Sequence, residues 1–325
     1  MRVSHAGKLL IHRLRNSLFG QRIPFLASFK VTYLCNLKCL GCPFHRVSGA
    51  VASISYRNAL KVMDQLKARG NLIVIFEGGE PFMWADGDRT LIDLLHEAHK
   101  RFIRVGVTTN GTFPLSMNAD IIWVSIDGFK VTHDRLRSSS FDAMMENVLS
   151  SEHPNLLAHI TVNAANVNEV PDLIVFLTSL KRFRGITCQL HYPYDERNDL
   201  LKLPKEKRRW VLKELIKLKR SGYPILNSAL SLEGLIDNRW HCHDFWVDNA
   251  YPDGRLIQGC YVKGTGRTPR CEECGFSPHA EASLAHRFRL EAIRAGLNIF
   301  FSEKSPYKRA VARGKELLPQ AAPAR

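Results

Sequence analysis

Three cysteines, Cys35, Cys39 and Cys42, close the run Val31-Thr-Tyr-Leu-Cys-Asn-Leu-Lys-Cys-Leu-Gly-Cys42. Each thiolate of such a triplet can take one iron of a cubane, and a [4Fe–4S] cluster ordinarily draws on four protein sulfurs. Three leave one iron open to an outside ligand. The same donors also suit zinc, for which a CxxC pair is commonly half a site, so the triplet alone leaves cluster and zinc both standing. A second set, Cys242, Cys260, Cys271 and Cys274, ends in another CxxC and supplies four sulfurs. Four thiolates close a site completely, whether around an iron–sulfur cluster or around tetrahedral zinc. His241 and His243 flank Cys242 as alternative donors, whereas Cys188 sits inside an apolar run and reads as a core thiol.

The elements that must position these residues are visible as an alternation. Strand-like runs at Phe29–Leu34, Leu72–Phe76, Arg104–Thr108, Ile121–Ile126, Ala158–Asn163 and Ile186–His191 are separated by helix-period segments. The segments are Tyr56–Arg69, Arg89–Arg101, Phe141–Leu149, Val170–Leu180 and Lys205–Lys219, with a short loop-like stretch after Thr108. This predicts an α/β fold, a partial (β/α)6 TIM barrel with a small C-terminal cysteine-rich auxiliary domain. In such barrels ligands gather at the carboxyl ends of the strands. Cys35, Gly78, Asn110, Asp127, Asn163 and Tyr192 all fall there.

Beyond Gly222 the alternation stops. A turn at Tyr251-Pro-Asp-Gly254 predicts a hairpin over Phe245–Gly259, and a final helix is expected over Ala280–Ala295. The expected division is a cationic amphipathic segment (1–25), a core barrel (26–221), an auxiliary domain (222–280), and a C-terminal helix with a frayed tail from Lys304 (281–325). Within the first segment Ala6–Phe19 reads as a helix with Leu10, Leu14 and Leu18 four apart. It suits either packing over one end of the barrel or lying on an anionic membrane surface.

The chain of 325 residues is 45% hydrophobic and 24% charged, an ordinary globular composition. Its net charge of +15 is uneven, because ten lysines and arginines precede the first acidic residue, Asp64. Cysteines grouped at ligand spacings point to a reducing, cytoplasmic setting rather than a disulfide scaffold, with peripheral association at the inner membrane face as an option. No secretion signal or spanning segment is expected. Excess basic charge gives affinity for any polyanion, but no aromatic-interleaved basic strand points to specific nucleic-acid binding.

With Glu77-Gly-Gly-Glu80-Pro81 after the second strand, Thr108-Thr-Asn-Gly111 after the third and Val124-Ser-Ile-Asp-Gly128 after the fourth, the chain resembles the radical S-adenosylmethionine (SAM) superfamily. That resemblance implies a [4Fe–4S] cluster on Cys35, Cys39 and Cys42 whose open iron binds SAM, and reductive cleavage of SAM to a 5′-deoxyadenosyl radical. It implies SAM contacts from Gly78, Gly79, Glu80, Asn110, Ser125, Asp127 and Asn163, with Asn166 near the last. Free glycine N–H groups and carbonyls would meet the carboxylate and amine of SAM. Many members place an aromatic residue before the third cysteine, where this chain has Gly41, which leaves Phe44 or Tyr33 to pack on the adenine.

The second cysteine set resembles the auxiliary-cluster domain of the SPASM/twitch subgroup, and implies an auxiliary [4Fe–4S] cluster. His191, Tyr192 and Asp195, with Tyr194 beside them, are the candidates to move a proton on the substrate. The resemblance further implies a reduced flavodoxin- or ferredoxin-type electron donor. A membrane lipid suits the cationic N-terminus, and the Cys-Asn-Leu-x-Cys-x-Gly-Cys form is similar to members acting on polycyclic or isoprenoid lipids; a ribosomally made peptide suits the auxiliary domain. The competing class is a non-catalytic zinc or iron–sulfur protein that docks nucleic acid through its basic N-terminus.

Overall fold

The structure, a computed structural model, describes residues 3–44, 51–194 and 199–302. Asp195 and the tail from Lys304 lie outside the described residues. After helix α1 (Val3–Leu18) come β1 (Leu26–Thr32), α2 (Tyr56–Arg69), β2 (Ile73–Gly78), a small hairpin β3 (Ala85–Asp86) and β4 (Arg89–Thr90), and α3 (Leu91–His99). The barrel continues through β5 (Arg104–Thr109), β6 (Ile121–Ser125), α4 (Lys130–Leu136), α5 (Phe141–Ser150), β7 (Leu156–Val162), α6 (Val170–Ser179), β8 (Gly185–Leu190) and α7 (Lys205–Arg220). The remainder is α8 (Ala229–Asp237), β9 (Val247–Ala250), β10 (Leu256–Gln258), α9 (Tyr261–Gly264), α10 (Ser277–His286) and α11 (Leu290–Phe301).

The strands form one sheet in the order β10-β9-β1-β2-β5-β6-β7-β8. Strands β1, β2 and β5 to β8 pair parallel, as a βα alternation requires. Alternate residues face opposite ways. One set, Ala27, Phe29, Val74, Phe76, Val107, Ile160 and Val162, is fully buried beneath the helices. The opposite set is polar and partly exposed at Glu77, Thr108, His159, Thr161 and Gln189. The inner face of the sheet is therefore a polar lumen and the outer face a dry core. Each large side chain fully buried in that core contributes roughly 1.5–3 kcal/mol.

The expected hairpin exists, and it is not a separate layer. Strand β9 pairs parallel with β1 from Leu26↔Val247 to Phe29↔Ala250, so the hairpin extends the barrel sheet. Arg69 donates to both oxygens of Asp248 at 2.7 and 2.8 Å, and Asn71 Nδ2 donates to Oδ2 at 2.7 Å. Asp248 is fully buried, so this pairing fastens residues 222–302 to α2 and β2. The segment that expects an auxiliary domain thus shares one sheet with the barrel.

The predicted last helix is two helices. The break falls at Arg287–Arg289, where Phe288 has φ +58°. The end of α11 lies under the strands: Arg104 Nε donates to Phe300 O at 2.7 Å, and Arg184 donates to Asn298 O and Ile299 O at 2.7 and 2.8 Å. Two guanidinium groups thereby take the last free carbonyls of the helix, the favourable place for cations. Ile299 and Phe300 pack on Ile121, Trp123, Leu157 and Leu226, which forms an apolar floor to the lumen.

Candidate active site

The cysteine loop starts where β1 loses its register with β2. Lys30 pairs with Glu77 but Thr32 pairs with Gly78, so β1 bulges at Val31 and the chain turns away over the strand ends. The two glycines that follow β2 allow this approach. A Cβ on Gly78 would lie 2.4 Å from Thr32 O, and one on Gly79 would lie 2.1 Å from Leu34 O. Gly79 N–H donates to Thr32 O and Glu80 N–H to Leu34 O, each at 2.8 Å. The Gly79 and Glu80 N–H groups thus hold the cysteine loop, so that of Gly79 is spent within the chain.

Three more contacts pin the loop. Lys38 N–H donates to Ser138 Oγ at 2.9 Å, Leu40 N–H to Leu136 O at 3.0 Å, and Asn36 Nδ2 to Thr112 Oγ1 at 2.8 Å. Asn110 Nδ2 reaches Asn36 Oδ1 at 2.9 Å and lies 3.9 Å from Cys35 Sγ, which also accepts from Leu37 N–H at 3.4 Å. Burial pushes the thiols of Cys35 and Cys39 up, Cys39 to about 11, with further upward pushes from their neighbours in the triplet. Arg137 opposes this at Cys39. Burial pulls the Arg137 guanidinium down, but Asp127, Cys39 and Cys42 outweigh it and hold the cation charged.

Several predicted site residues turn out to hold the strand ends together. Glu80 is fully buried, and its carboxylate accepts from Thr109 Oγ1 at 2.8 Å, Asn110 N–H at 2.8 Å and Phe82 N–H at 3.2 Å. Burial still pushes it up to about 7. Asp127 accepts from Thr161 N–H at 2.8 Å and Arg137 Nε at 2.6 Å, so each of its oxygens already has a donor. Asn163 Oδ1 accepts from Ala165 N–H at 2.9 Å, and Asn166 Nδ2 donates to Asp127 O at 2.8 Å. Ser125 ends β6 next to these groups, and its hydroxyl has no contact among those described.

His191 Nε2 meets both oxygens of Asp199, at 3.0 and 2.8 Å. Its ring explains Gly41: a Cβ there would lie 2.9 Å from Leu201 Cδ1 and 3.2 Å from His191 Cε1. The place of the expected aromatic neighbour is thus taken from the opposite side. Phe44 instead stacks on Tyr33 at 6.2 Å and meets the edge of Tyr261 at 5.7 Å. Tyr192 does not face the lumen. Its hydroxyl accepts from Arg270 N–H at 2.9 Å and its ring stacks on Phe276 at 5.5 Å, which joins β8 to the C-terminal segment.

Sequence reasoning missed Arg137 and the buried lumen cation Lys30. Lys30 Nζ donates to Ser28 Oγ at 2.5 Å and Asn249 Oδ1 at 2.6 Å, lies 3.3 Å from Glu77, and sits beneath the rings of Tyr261 and Tyr251 at 4.9 and 5.4 Å. Alternation along β1 marks Lys30 as inward-facing. Nothing in the sequence marks Arg137.

The second cysteine set also assembles. Burial pushes Cys242 up to about 12, followed by Asp244 and the thiols of Cys274, Cys260 and Cys271, so the four lie within electrostatic reach of one another. Asp244 Oδ2 accepts from Cys260 N–H at 3.2 Å and Lys263 Nζ at 2.6 Å, while Arg208 donates to Cys274 O at 2.6 Å. Tyr194 meets the edge of Tyr261, the residue after Cys260, at 6.3 Å, and burial first, then Tyr261, Cys260 and Cys42, push its hydroxyl up. Among the described residues no three Cys, His, Asp or Glu side chains close tightly enough to hold a single ion. Soft thiol donors in mutual reach, with N–H groups on sulfur and a cation beside them, fit iron–sulfur clusters.

The site is thus a three-thiol loop over the strand ends of an open, mostly parallel sheet flanked by helices, an arrangement that can hold a cluster with one iron left open. Residues 29–152 match the sequence model of the family described as Radical SAM superfamily, so this stretch is a radical SAM enzyme domain; the cofactors of that family are a [4Fe–4S] cluster and SAM.

Among curated proteins, the chain is 26% identical over 221 residues to Fe-coproporphyrin III synthase of Methanosarcina barkeri, covering 60% of this chain and 53% of that protein. It is 29% identical over 144 residues to the antilisterial bacteriocin subtilosin biosynthesis protein AlbA of Bacillus subtilis, covering 40% and 31%. The chain thus spans about half or less of these relatives. Among solved structures, Streptococcus suis SuiB bound to precursor peptide SuiA has a TM-score of 0.58 at 15% identity, covering 85% of this chain and 67% of that one. The structure of anSMEcpe with bound AdoMet has a TM-score of 0.58 at 17% identity, covering 82% of each. These two show the fold.

Proposed function

We propose that this chain cleaves SAM reductively and modifies an unreactive C–H bond of a substrate held in the polar lumen. The observation that supports it best is the gathering of Cys35, Cys39 and Cys42 over the strand ends, with Asn110 on one side and Arg137 on the other. When bound, the cluster and SAM supply a 5′-deoxyadenosyl radical for hydrogen abstraction. The chain's own residues bind and orient. The carbonyls of Gly78 and Gly79 face the SAM amine, Ser125 meets the ribose, and Phe44 with Tyr33 offers an aromatic wall for the adenine. Glu80, Asp127, Asn163 and Asn166 keep those strand ends fixed, the kind of support that holds a reacting geometry to within a fraction of an ångström.

Below them, Glu77 is held by Lys30 and Ser28 and remains partly exposed to the lumen. With Thr108, His159, Thr161 and Gln189 it suits a substrate rich in hydrogen-bonding groups, which favours a peptide. One relative's name agrees, a bacteriocin biosynthesis protein, while another is a porphyrin synthase. A lipid substrate is the second reading, favoured by the exposed apolar face of α1. His191, oriented by Asp199, is the group to which we assign proton transfer. The four C-terminal cysteines hold an auxiliary [4Fe–4S] cluster, and a flavodoxin- or ferredoxin-type protein supplies the electron.

Anaerobic reconstitution followed by dithionite and SAM tests this reading. The expected result is 5′-deoxyadenosine, lost in Cys35/Cys39/Cys42→Ala while about half the iron is retained. Bound zinc without iron, and no nucleoside product, would overturn it in favour of a non-catalytic metal protein.

A further inference from the structure

Helix α1 is packed the wrong way round for a helix that merely covers a barrel. At about 100° per residue, Leu10, Ile11, Leu14 and Leu18 fall on one arc of about 100°, and His12 and Asn16 fall opposite it. An ordinary surface helix turns the apolar arc inward. Here the polar pair is inward and buried. His12 Nε2 is 2.8 Å from Pro24 O, and its ring packs on Phe25 and Trp246 at 5.4 and 5.5 Å. Asn16 Oδ1 accepts from Ile23 N–H at 2.8 Å and Nδ2 donates to His12 O at 3.1 Å. The apolar arc is left in the open, with Leu10, Ile11 and Leu18 exposed by 58, 59 and 70%, Leu14 by 40%, and Phe19 just past the helix by 72%.

Hydrogen bonds that specify an inward His12 and Asn16 also specify an outward leucine arc. The orientation is therefore built in. A second element presents the same chemistry beside it. Arg13 donates to Ala285 O at 2.6 Å and lies 4.0 Å from the ring of Phe288, which brings the α10–α11 turn against α1. That turn reads Arg287-Phe288-Arg289-Leu290, all exposed, with Phe288 at 59% and Leu290 at 67%. Basic residues edge the apolar arc as well. Lys8 and Arg15 are exposed on one flank and Arg13 lies on the other, with Arg22 exposed just beyond.

We propose that this face, formed by α1 and the α10–α11 turn, docks on an anionic lipid surface, with Leu10, Ile11, Leu14, Leu18, Phe19, Phe288 and Leu290 entering the headgroup boundary. Charge complementarity selects the partner. A helix with a leucine arc and a basic flank lies in an anionic interface, where each nearby Lys or Arg strengthens binding. A nucleic acid would use the charge but not the leucines. Among the described residues no helix is long and apolar enough to cross a membrane, so the contact is peripheral. The inference stands apart from the chemistry at the cysteines, so vesicle binding and SAM cleavage can fail separately.

Co-sedimentation of the full, reconstituted chain with phosphatidylcholine vesicles, with and without about one-third phosphatidylglycerol, tests it. Binding is expected to the anionic vesicles, to fall with added salt, and to drop on the order of tenfold or more in Leu14→Asp/Leu18→Asp. Lys8→Gln/Arg15→Gln should weaken binding to anionic vesicles and leave the weak binding to neutral ones unchanged. Melting temperature and iron content should match the parent in both variants, since all four side chains are exposed. No binding by the parent, or equal binding by Leu14→Asp/Leu18→Asp, would overturn the proposal. So would a parent dimer, dissolved by the same two substitutions, that forms in place of vesicle binding.

Discussion

Arg137 Nε donates to Asp127 Oδ2 at 2.6 Å, and this largely buried pair joins the end of β6 to the surroundings of Cys39. Breaking a buried pair leaves one charge without its partner and costs about 3–5 kcal/mol. Arg137→Met is therefore expected to lower unfolding stability by roughly that amount in urea titration, and Asp127→Asn/Arg137→Met should recover part of it. Loss of the cation beside the thiolates should also move the reduction potential of the reconstituted cluster to a more negative value, read by spectroelectrochemistry.

Gly41 is fixed by what faces it. Restoring an aromatic residue there, Gly41→Phe, would drive its side chain into Leu201 and His191. Overpacking of this kind costs typically 1–3 kcal/mol. The variant should melt earlier, and Gly41→Phe/Leu201→Ala should regain part of the loss. An unchanged melting temperature in the single variant would show that the loop has room that the contacts deny.

Gly79 is expected to be intolerant for a different reason. Its neighbour is the backbone oxygen of Leu34, which has no rotamer to adopt. Gly79→Ala should displace the cysteine loop as a unit, and iron retained after anaerobic reconstitution should fall by about half, the share of the first of two clusters. Full retention would show that the loop can be held without the strand-end contact.

His133 gives the fold a pH dependence. Its Nδ1 accepts from Asp127 N–H at 3.3 Å, its Nε2 lies 3.1 Å from Ser140 Oγ, and that hydroxyl donates to Arg137 O at 2.7 Å, an arrangement that suits the neutral ring. Burial first, and Arg137 next, pull it from 6.5 down to about 4. The unfolded chain therefore takes the proton before the folded one. Its contribution to stability is complete above pH 6.5 and is lost as pH falls toward 4, a change on the order of 3 kcal/mol. Denaturation midpoints across that range should slope downward with acid, and His133→Gln should flatten the slope.

The barrel was legible because its signals are local. Tyr56–Arg69 has the same ends in sequence and structure, and all six parallel strands appear within a few residues of their expected positions. What escaped depends on packing between distant segments. Only the pairing of Leu26 with Val247 shows that the hairpin belongs to the main sheet, and only the left-handed backbone at Phe288 shows the break in the last helix. The site divides in the same way. Cysteines announce themselves by spacing, but Asp127 and Glu80, read as ligand contacts, spend their oxygens on Arg137, Thr109 and Asn110. Their partners lie on other strands, where spacing along the chain carries no information.

The floor made by Ile299 and Phe300 against Trp123 and Leu157 bears on kinetics. A vessel stoppered at one end exchanges its contents at the other. On the function proposed above, substrate, spent nucleoside and methionine would pass the same rim that carries the cysteines. Turnover becomes a queue: whatever sits nearest the rim must leave before what lies beneath it can, and excess SAM should slow release of the modified product.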